Sequence, residues 1–455
     1  MKAYVIGLGR SGVAAARLLK QKGWEVILSD RSISDSLKAR QRELAQEEIT
    51  VKLENTPTLE ILKTTDLMIV SPGVPWDIPI LVRAREHNIP MYGEIELAWR
   101  CLSQIPWVGI TGTNGKTTTT ALCSALFQGA GLKAPACGNI GTAACELGLQ
   151  DTPWDWIIAE ISSYQIESSQ KLAPEIGVWT TFSPDHLERH YTLENYFAIK
   201  KSLLDRAQLK ILNGDDPYLR RLGKEDWSGV HWTSIKGKNE LLGKPSQGIY
   251  VEGEDIIAFG EKILKVRDFP MAGEHNLQNL LLAVGAARLA GVDQSAIAQS
   301  IINFQGVPHR LEPICNIEGI PFINDSKATN YEAATVGLSS VPSPVILIAG
   351  GQAKTGNDQD WLQLIKQKAS LVLLIGEAAP QFAQRLEDIG YTSYQVLDTM
   401  EKAVTAAVNC AHQQVGSVVL LSPACASFDQ YANFEQRGDH FRQLCRDWQG
   451  IQDKR

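Results

Sequence analysis

The run Trp107-Val108-Gly109-Ile110-Thr111-Gly112-Thr113-Asn114-Gly115-Lys116-Thr117-Thr118 decides the fold. Its apolar start reads as a strand, and Thr119 to Gln128 reads as a helix. Strand, glycine loop, lysine, hydroxyl and helix make the cradle of a nucleoside triphosphate. Glycines let backbone N–H groups approach phosphates, and the helix N-terminus adds positive potential. Lys116 would reach the outer phosphates and Thr117 would hold Mg2+. The usual G-x-x-x-x-G-K-[ST] spacing puts its first glycine at position 110, which is Ile here. The glycine pair is the shorter Gly112 and Gly115.

On the N-terminal side, Ala3–Ile6, Glu25–Asp30 and Asp66–Val70 are apolar strands with helical segments between them. Continuous apolar strands separated by helices predict a buried parallel sheet. Gly7-x-Gly9-x-x-Gly12 follows the first strand and Asp30 ends the second. That pattern supports a diphosphate at a helix N-terminus with an acid near a ribose or base; a dinucleotide or a nucleotide-sugar diphosphate satisfies it equally.

On the C-terminal side, Trp156–Ile161 and Ile176–Thr180 continue the central unit. Glu160 closes the first of these strands, a natural place for a Mg2+ ligand. Asp185-His186 follows the second, and Lys200 lies on a helical run from Leu193 to Arg206, ordinarily a solvated position. Between 228 and 270, short β-like pieces separated by glycines predict a small antiparallel appendage, with a helix from Asn276 to Ala290 after it. A third α/β sheet is predicted from Pro321–Asn324, Val345–Ile348, Leu371–Ile375 and Val418–Leu421. Polar clusters follow three of its strands, at Asn324–Asn330, Gly350–Lys354 and Ser422–Asp429, as in a ligand crevice at the carboxyl edge of a sheet.

The chain has 455 residues, a length prior of roughly three domains. Its 44% hydrophobic and 21% charged residues suffice for ordinary globular cores. A net charge of -7 without long single-sign runs argues against nonspecific nucleic-acid or anionic-membrane binding. Eight scattered cysteines without a C-x-x-C pair suggest neither a zinc knuckle nor a disulfide framework, and reduced thiols in a cytoplasm are expected. No apolar run approaches the ~20 residues of a membrane span, and no signal peptide is read at the N-terminus.

With these residues in hand, the chain resembles the Mur ligases over essentially its whole length. The signatures are Gly112–Thr118, Asn324–Asn330, and Ser422 through Asn433-Phe434-Glu435-Gln436-Arg437-Gly438. The resemblance implies an α/β protein of three domains: a Rossmann-like N-terminal domain at 1–98 for UDP, a central P-loop ATPase-like domain at 99–308 carrying the antiparallel appendage, and a C-terminal Rossmann-like domain at 309–455 for D-glutamate. It implies a cytoplasmic step of peptidoglycan synthesis. D-Glutamate is added to UDP-N-acetylmuramoyl-L-alanine through an acyl phosphate, with ADP and phosphate released.

Site residues carry over by position. Lys116, His186, Lys200 and Arg310 are implied as catalytic. Gly112, Thr113, Asn114, Gly115, Lys116, Thr117, Thr118, Asn276, Asn279, Arg310 and Asp325 are implied for ATP. Arg10, Ser11, Asp30, Arg31, Ser32, Ser71, Asn139, Ser162 and His186 are implied for the UDP-sugar. D-Glutamate falls to Lys327, Thr329, Lys354, Ser427 and Phe434, where lysines and hydroxyls suit a dicarboxylate. Thr117, Glu160, His186 and Lys200, the last as a CO2-derived carbamate, are implied at two Mg2+ sites. A monomer is expected, with neither nucleic acid nor a membrane as partner. A sister three-domain ligase would carry a different third-domain pocket. An NAD-dependent oxidoreductase, suggested only by Gly7 to Gly12, would leave the second loop and the third domain unexplained, and a nucleotide-hydrolysing switch would turn over nucleotide without a muramoyl substrate.

Overall fold

The computed structural model describes residues 1–223, 227, 229–271, 273–353, 356–411 and 416–452. Contacts group the chain into two compact units, Met1–Phe304 and Gln305–Arg455. The first unit carries two sheets and the second carries one.

The N-terminal sheet comprises β1 (Lys2–Ile6), β2 (Glu25–Ser29), β3 (Thr50–Lys52), β4 (Leu67–Val70) and β5 (Met91–Gly93), in the order β3-β2-β1-β4-β5. All its pairings are parallel. The order reverses between β1 and β4, and a crevice opens at such a switch point.

The central sheet has nine strands: β6 (Trp107–Thr111), β7 (Ala136–Gly138), β8 (Ile157–Glu160), β9 (Ile176–Trp179), β10 (Leu209–Asn213), β11 (Val230–Ser234), β12 (Ile249–Glu252), β13 (Asp255–Ala258) and β14 (Glu261–Lys265). Their order is β14-β13-β12-β11-β10-β9-β6-β8-β7. Of the β-like pieces between 228 and 270, those at 248–251 and 255–259 form antiparallel β12 and β13 and continue into β14, whereas the piece at Val230–Trp232 lies in β11 and pairs in parallel. The antiparallel part is joined to the main sheet through β11, which runs parallel to both β10 and β12. The appendage is therefore an extension of the central sheet, its hydrogen-bond ladder continued rather than closed off.

Helices Lys116–Gly129, Glu274–Leu289 and Gln294–Ile302 cover one face of this sheet with a continuous apolar core. Two buried carboxylates tie the N-terminal sheet's last helix, Glu94–Cys101, to the central part of the same unit. Glu94 accepts the Cys145 N–H at 2.6 Å. Glu96 accepts the Leu172 N–H at 2.8 Å and pairs with Arg100 at 2.8 Å.

The sheet of the second unit contains β15 (Glu312–Ile317), β16 (Ile320–Asn324), β17 (Val345–Gly350), β18 (Ala369–Ile375), β19 (Tyr394–Val396) and β20 (Val418–Leu421), in the order β15-β16-β20-β17-β18-β19. Apolar clusters fill both of its faces. The loops after β16, β20 and β17 leave adjacent strands at one edge, where the three polar clusters of the sequence fall.

Candidate active site

The phosphate loop leaves β6 at the middle of the central sheet. Gly112 has φ 153°, and a Cβ there would lie 1.9 Å from Thr180 Oγ1. Gly115 has φ 84°, and its Cβ would lie 2.4 Å from Asn279 Oδ1. Only glycine fits such close approaches in that backbone region. Gly115 then opens the helix Lys116–Gly129, whose Thr117, Thr118, Thr119 and Thr120 are buried. Thr120 Oγ1 donates to the Lys116 carbonyl at 2.8 Å, which lets a β-branched hydroxyl run sit inside a helix.

The loop is held from outside by the segment after β9. Asn114 N–H donates to Thr181 Oγ1 at 2.9 Å, and Thr180 Oγ1 donates to the Asn114 carbonyl. Thr113 Oγ1 meets Tyr196 Oη at 3.2 Å and donates to the Ser183 carbonyl at 3.1 Å. On the helix Glu274–Leu289, Asn276 and Asn279 are buried one turn apart, and Asn279 accepts from Thr119 Oγ1 at 3.2 Å.

Lys116 Nζ folds back onto the loop, donating to the carbonyls of Gly112 at 3.0 Å and Thr113 at 2.7 Å. Lys200 Nζ reaches the same Gly112 carbonyl at 2.7 Å and Thr111 Oγ1 at 3.3 Å. Lys200 is 1% exposed, against its reading as a solvated helix residue. The helix Leu193–Arg206 buries Tyr196, Lys200, Leu203 and Leu204, one face of a 3.6-residue period, so Lys200 points inward with them. Burial, and then the Lys116 charge, hold the Lys200 amine well below its ordinary pKa; Asp185 and Glu160 oppose them.

Glu160, the last residue of β8, is buried, and its Oε1 accepts from Asn139 Nδ2 at 2.8 Å. Asn139 sits in the loop after β7, and its N–H donates to the Glu160 carbonyl at 2.9 Å. His186 has φ 54°, and its Nδ1 lies 3.1 Å from Tyr164 Oη. Its Nε2 is 3.4 Å from Asp185. Burial lowers the His186 pKa, so the neutral imidazole is favoured. Ser162 caps the helix Ser163–Glu167 in a capping box with Gln165.

The structure thus gathers Gly112–Thr118, Lys200 and Asn279 at one loop, and joins Glu160 to Asn139. These groups suit an anion and a hard cation. Glu160 is a buried oxygen donor, Thr117 a hydroxyl at a helix N-terminus, and His186 a neutral imidazole. Mg2+ takes one or two carboxylates and completes its shell with water and substrate phosphates. Among the described residues, no three His, Cys, Asp or Glu side chains form a ready cage.

A separate cleft of about 180 Å³ lies at the β1/β4 switch point. It is lined by Gly7, Asp30, Arg31, Asn55, Gly73 and Val74, among others. Asp30 Oδ2 accepts the Leu8 N–H at 2.8 Å, and its Oδ1 accepts the Ser32 N–H at 2.9 Å. Ser71 Oγ donates to the Gly7 carbonyl at 3.2 Å. Arg10 and Ser11 open the helix Arg10–Gln21, and Arg10 lies 3.9 Å from Glu146. Arg10, Ser11, Ser32 and Ser71 stand outside the lining. Asn55, Thr56, Pro57, Gly73 and Val74 line it without any signal in the local sequence, because only the strand order brings them there.

In the second unit, Asp325 Oδ2 accepts from Ser422 Oγ at 2.9 Å and its Oδ1 accepts the Leu311 N–H at 3.3 Å. Burial pushes Asp325 up to about 7, against the nearby Arg310 charge. Lys327 Nζ lies 5.1 Å over the Phe434 ring. Thr329 follows in the same loop, its N–H donating to the Lys327 carbonyl at 2.9 Å, and Ser427 is buried in the loop after β20. Lys354 lies outside the described residues.

Arg437 is the buried tie between these loops. Its guanidinium donates to Ser326 Oγ at 3.0 Å and to the carbonyls of Ser326, Cys425 and Ala426 at 2.8, 3.0 and 3.2 Å. Ser326 Oγ in turn donates to the Phe434 carbonyl at 2.8 Å. Its signature position is plain in the sequence, but this role comes only from the fold.

Residues 110–287 match the model of the Mur ligase middle domain, and residues 1–93 match that of a Mur ligase MurD-like N-terminal domain. A UDP-N-acetylmuramoylalanine–D-glutamate ligase from Rippkaea orientalis is 62% identical over 448 residues, covering 97% of this chain and 98% of its own length. The chain belongs to the Mur ligase family. Another Mur ligase of the same name, from Gloeothece citriformis, is 62% identical, with 98% and 99% covered. Among solved Mur ligases, the UDP-N-acetylmuramate–alanine ligase of Thermotoga maritima has a TM-score of 0.61 at 17% identity, covering 98% of this chain and 99% of its own. That likeness concerns the fold: a mixed α/β chain with three sheets.

Proposed function

We propose that this chain uses ATP to join D-glutamate to the alanyl carboxylate of UDP-N-acetylmuramoyl-L-alanine, through an acyl phosphate held at the Gly112–Thr118 loop. The chain is a ligase that forms a C–N bond in peptidoglycan synthesis, as its relatives are. The carrying observation is the Gly112 carbonyl, which accepts from both Lys116 and the buried Lys200. Two amines at one phosphate loop, one of them buried and shifted toward its neutral form, are more than ATP binding requires.

A carboxylate does not acylate an amine because oxide is a poor leaving group. A carboxylate oxygen takes the γ-phosphoryl group and ADP leaves. The D-glutamate amine then attacks the acyl carbon, and phosphate leaves with the bonding pair. Lys116 turns from the loop carbonyls to the phosphates and neutralises charge where it develops. The neutral Lys200 amine adds to CO2 and releases a proton, giving a carbamate, so that a cation becomes an oxygen donor. Thr117, Glu160, His186 and that carbamate are the residues that would hold Mg2+. Bound there, Mg2+ would offset the charge of the transferring phosphoryl group.

The β1/β4 cleft takes the uridine diphosphate, with Asp30 and Arg31 in its wall. Asn139 orients the muramoyl end beside Glu160. Lys327, Thr329, Ser427 and Phe434 serve D-glutamate, with the Lys327 ammonium matching one of its carboxylates. Oxygen labelling tests the pathway. 18O placed in the alanyl carboxylate must appear in the released phosphate; phosphate free of label would overturn the acyl-phosphate route.

A further inference from the structure

Tyr4 and Ile6 stand two residues apart on one face of β1. Ile6 ends the strand in the wall of the β1/β4 cleft, and Tyr4 is buried one step beneath it in the same apolar cluster as Met68 and Val70. A buried phenol needs a partner for its hydroxyl. Tyr4 Oη donates to Asn55 Oδ1 at 3.1 Å. Burial raises the Tyr4 pKa, so the hydroxyl keeps the proton that it donates.

Asn55 lies in the loop after β3. Its N–H donates to the Asp30 carbonyl at 2.9 Å, which straps that loop to the end of β2. Its side chain lines the cleft. An amide carries an acceptor on one atom and two donor hydrogens on the other. With Oδ1 drawn to Tyr4, Nδ2 is the atom that Asn55 presents to the cleft. The other lining residues suit other tasks. Ile6, Val74, Ile78 and Ile80 give apolar sides for the faces of a planar base. Both Asp30 oxygens accept backbone N–H groups, from Leu8 and Ser32. Arg31 is the exposed cation of the lining and suits a phosphate.

We propose that Asn55, oriented by Tyr4, selects uracil over cytosine in the sugar nucleotide that enters this cleft. Uracil has a carbonyl oxygen at C4, which accepts from Nδ2. Cytosine has an amino group there, which sets donor against donor. The O2 carbonyl is common to both bases, so the discrimination falls at C4. Asn55 is a specificity residue of the ligase reaction, and Tyr4 is a positioning residue that acts through it. The assignment rests on the uridine diphosphate occupying this cleft, and adds which side chain reads its base.

The test titrates the full chain with UDP and with CDP in a calorimeter. Wild type should bind UDP at least about tenfold more tightly than CDP, the scale of one hydrogen bond gained against one donor left unpaired. Asn55→Ala should weaken UDP by about that factor and leave CDP nearly unchanged, so that the preference disappears. Asn55→Asp, an acceptor at the same place, should shift the ratio toward CDP. Tyr4→Phe keeps the ring in its cluster but frees the amide to turn, and should narrow the preference. Wild type that prefers UDP while Asn55→Ala keeps the whole preference would overturn the role of Asn55 and leave uridine in the cleft. Equal weakening of both nucleotides in Asn55→Ala would place the amide on O2 and overturn it too. Wild type that binds neither nucleotide would remove uridine from the cleft, and the proposal with it.

Discussion

Lys116 and Lys200 converge on one acceptor: their ammonium nitrogens lie 3.0 and 2.7 Å from the carbonyl oxygen of Gly112. Two cations cannot comfortably share that carbonyl, and burial together with the Lys116 charge shifts Lys200 toward its neutral amine. Lys200 therefore gives up its proton more readily than an ordinary lysine, beside a second amine at the same loop carbonyl.

The buried Lys200 amine leads to the first prediction. Lys200→Ala should bind ATP nearly as wild type but lose ligation by at least about 100-fold, the scale of an electrostatic group removed from a transition state. Short carboxylic acids should restore part of the rate. Wild-type rate should fall in CO2-depleted buffer and return with bicarbonate. Unchanged turnover in the mutant would remove the carbamate from the account.

Gly115 supplies a purely steric prediction. Gly115→Ala places a methyl against Asn279 Oδ1 in a left-handed conformation. The strain alone is about 1 kcal/mol. ATP affinity measured by calorimetry should fall more than the thermal midpoint does, because the displaced Asn279 and the loop share one contact.

Glu94 gives a pH dependence. Burial pushes this carboxyl up to about 7 in the folded chain, despite the Cys145 N–H it accepts. Unfolded, a glutamate ionises near about 4.3. Between these values the native state holds the extra proton, so stability falls as pH rises through the window, by about 3–4 kcal/mol in all. Thermal melts from pH 4.5 to 8 should slope downward in wild type, and Glu94→Gln should flatten that slope. Parallel curves would contradict the assignment.

Arg437 links stability to the acceptor pocket. Arg437→Lys cannot span the Ser326, Cys425 and Ala426 acceptors that the guanidinium fork reaches together. Loss of buried hydrogen bonds should cost about 2–3 kcal/mol. The KM for D-glutamate should rise about tenfold or more while the KM for ATP holds. Equal effects on both would mark Arg437 as a purely structural residue.

The sequence discloses the parallel sheets because strands such as Val345–Gly350 are buried on both faces and read as unbroken apolar runs. Three-residue edge strands such as Thr50–Lys52 and Tyr394–Val396 carry too little pattern to register. The phosphate loop is legible because glycine and lysine sit at fixed offsets in one stretch. The β1/β4 cleft is less so, since Asn55 and Gly73 belong to different loops joined only by topology. Lys200 shows the limit most clearly: its helix is legible from Leu193 to Arg206, but its burial depends on what packs against Tyr196 and Leu203.

The identity of the acceptor is decided by an amino-acid panel. ADP release should be measured with UDP-N-acetylmuramoyl-L-alanine while D-glutamate, L-glutamate, L-alanine and a diamino acid are supplied in turn. ADP should form one for one with amide product, and with D-glutamate alone. Equal turnover with L-glutamate, or turnover only with the diamino acid, would contradict it.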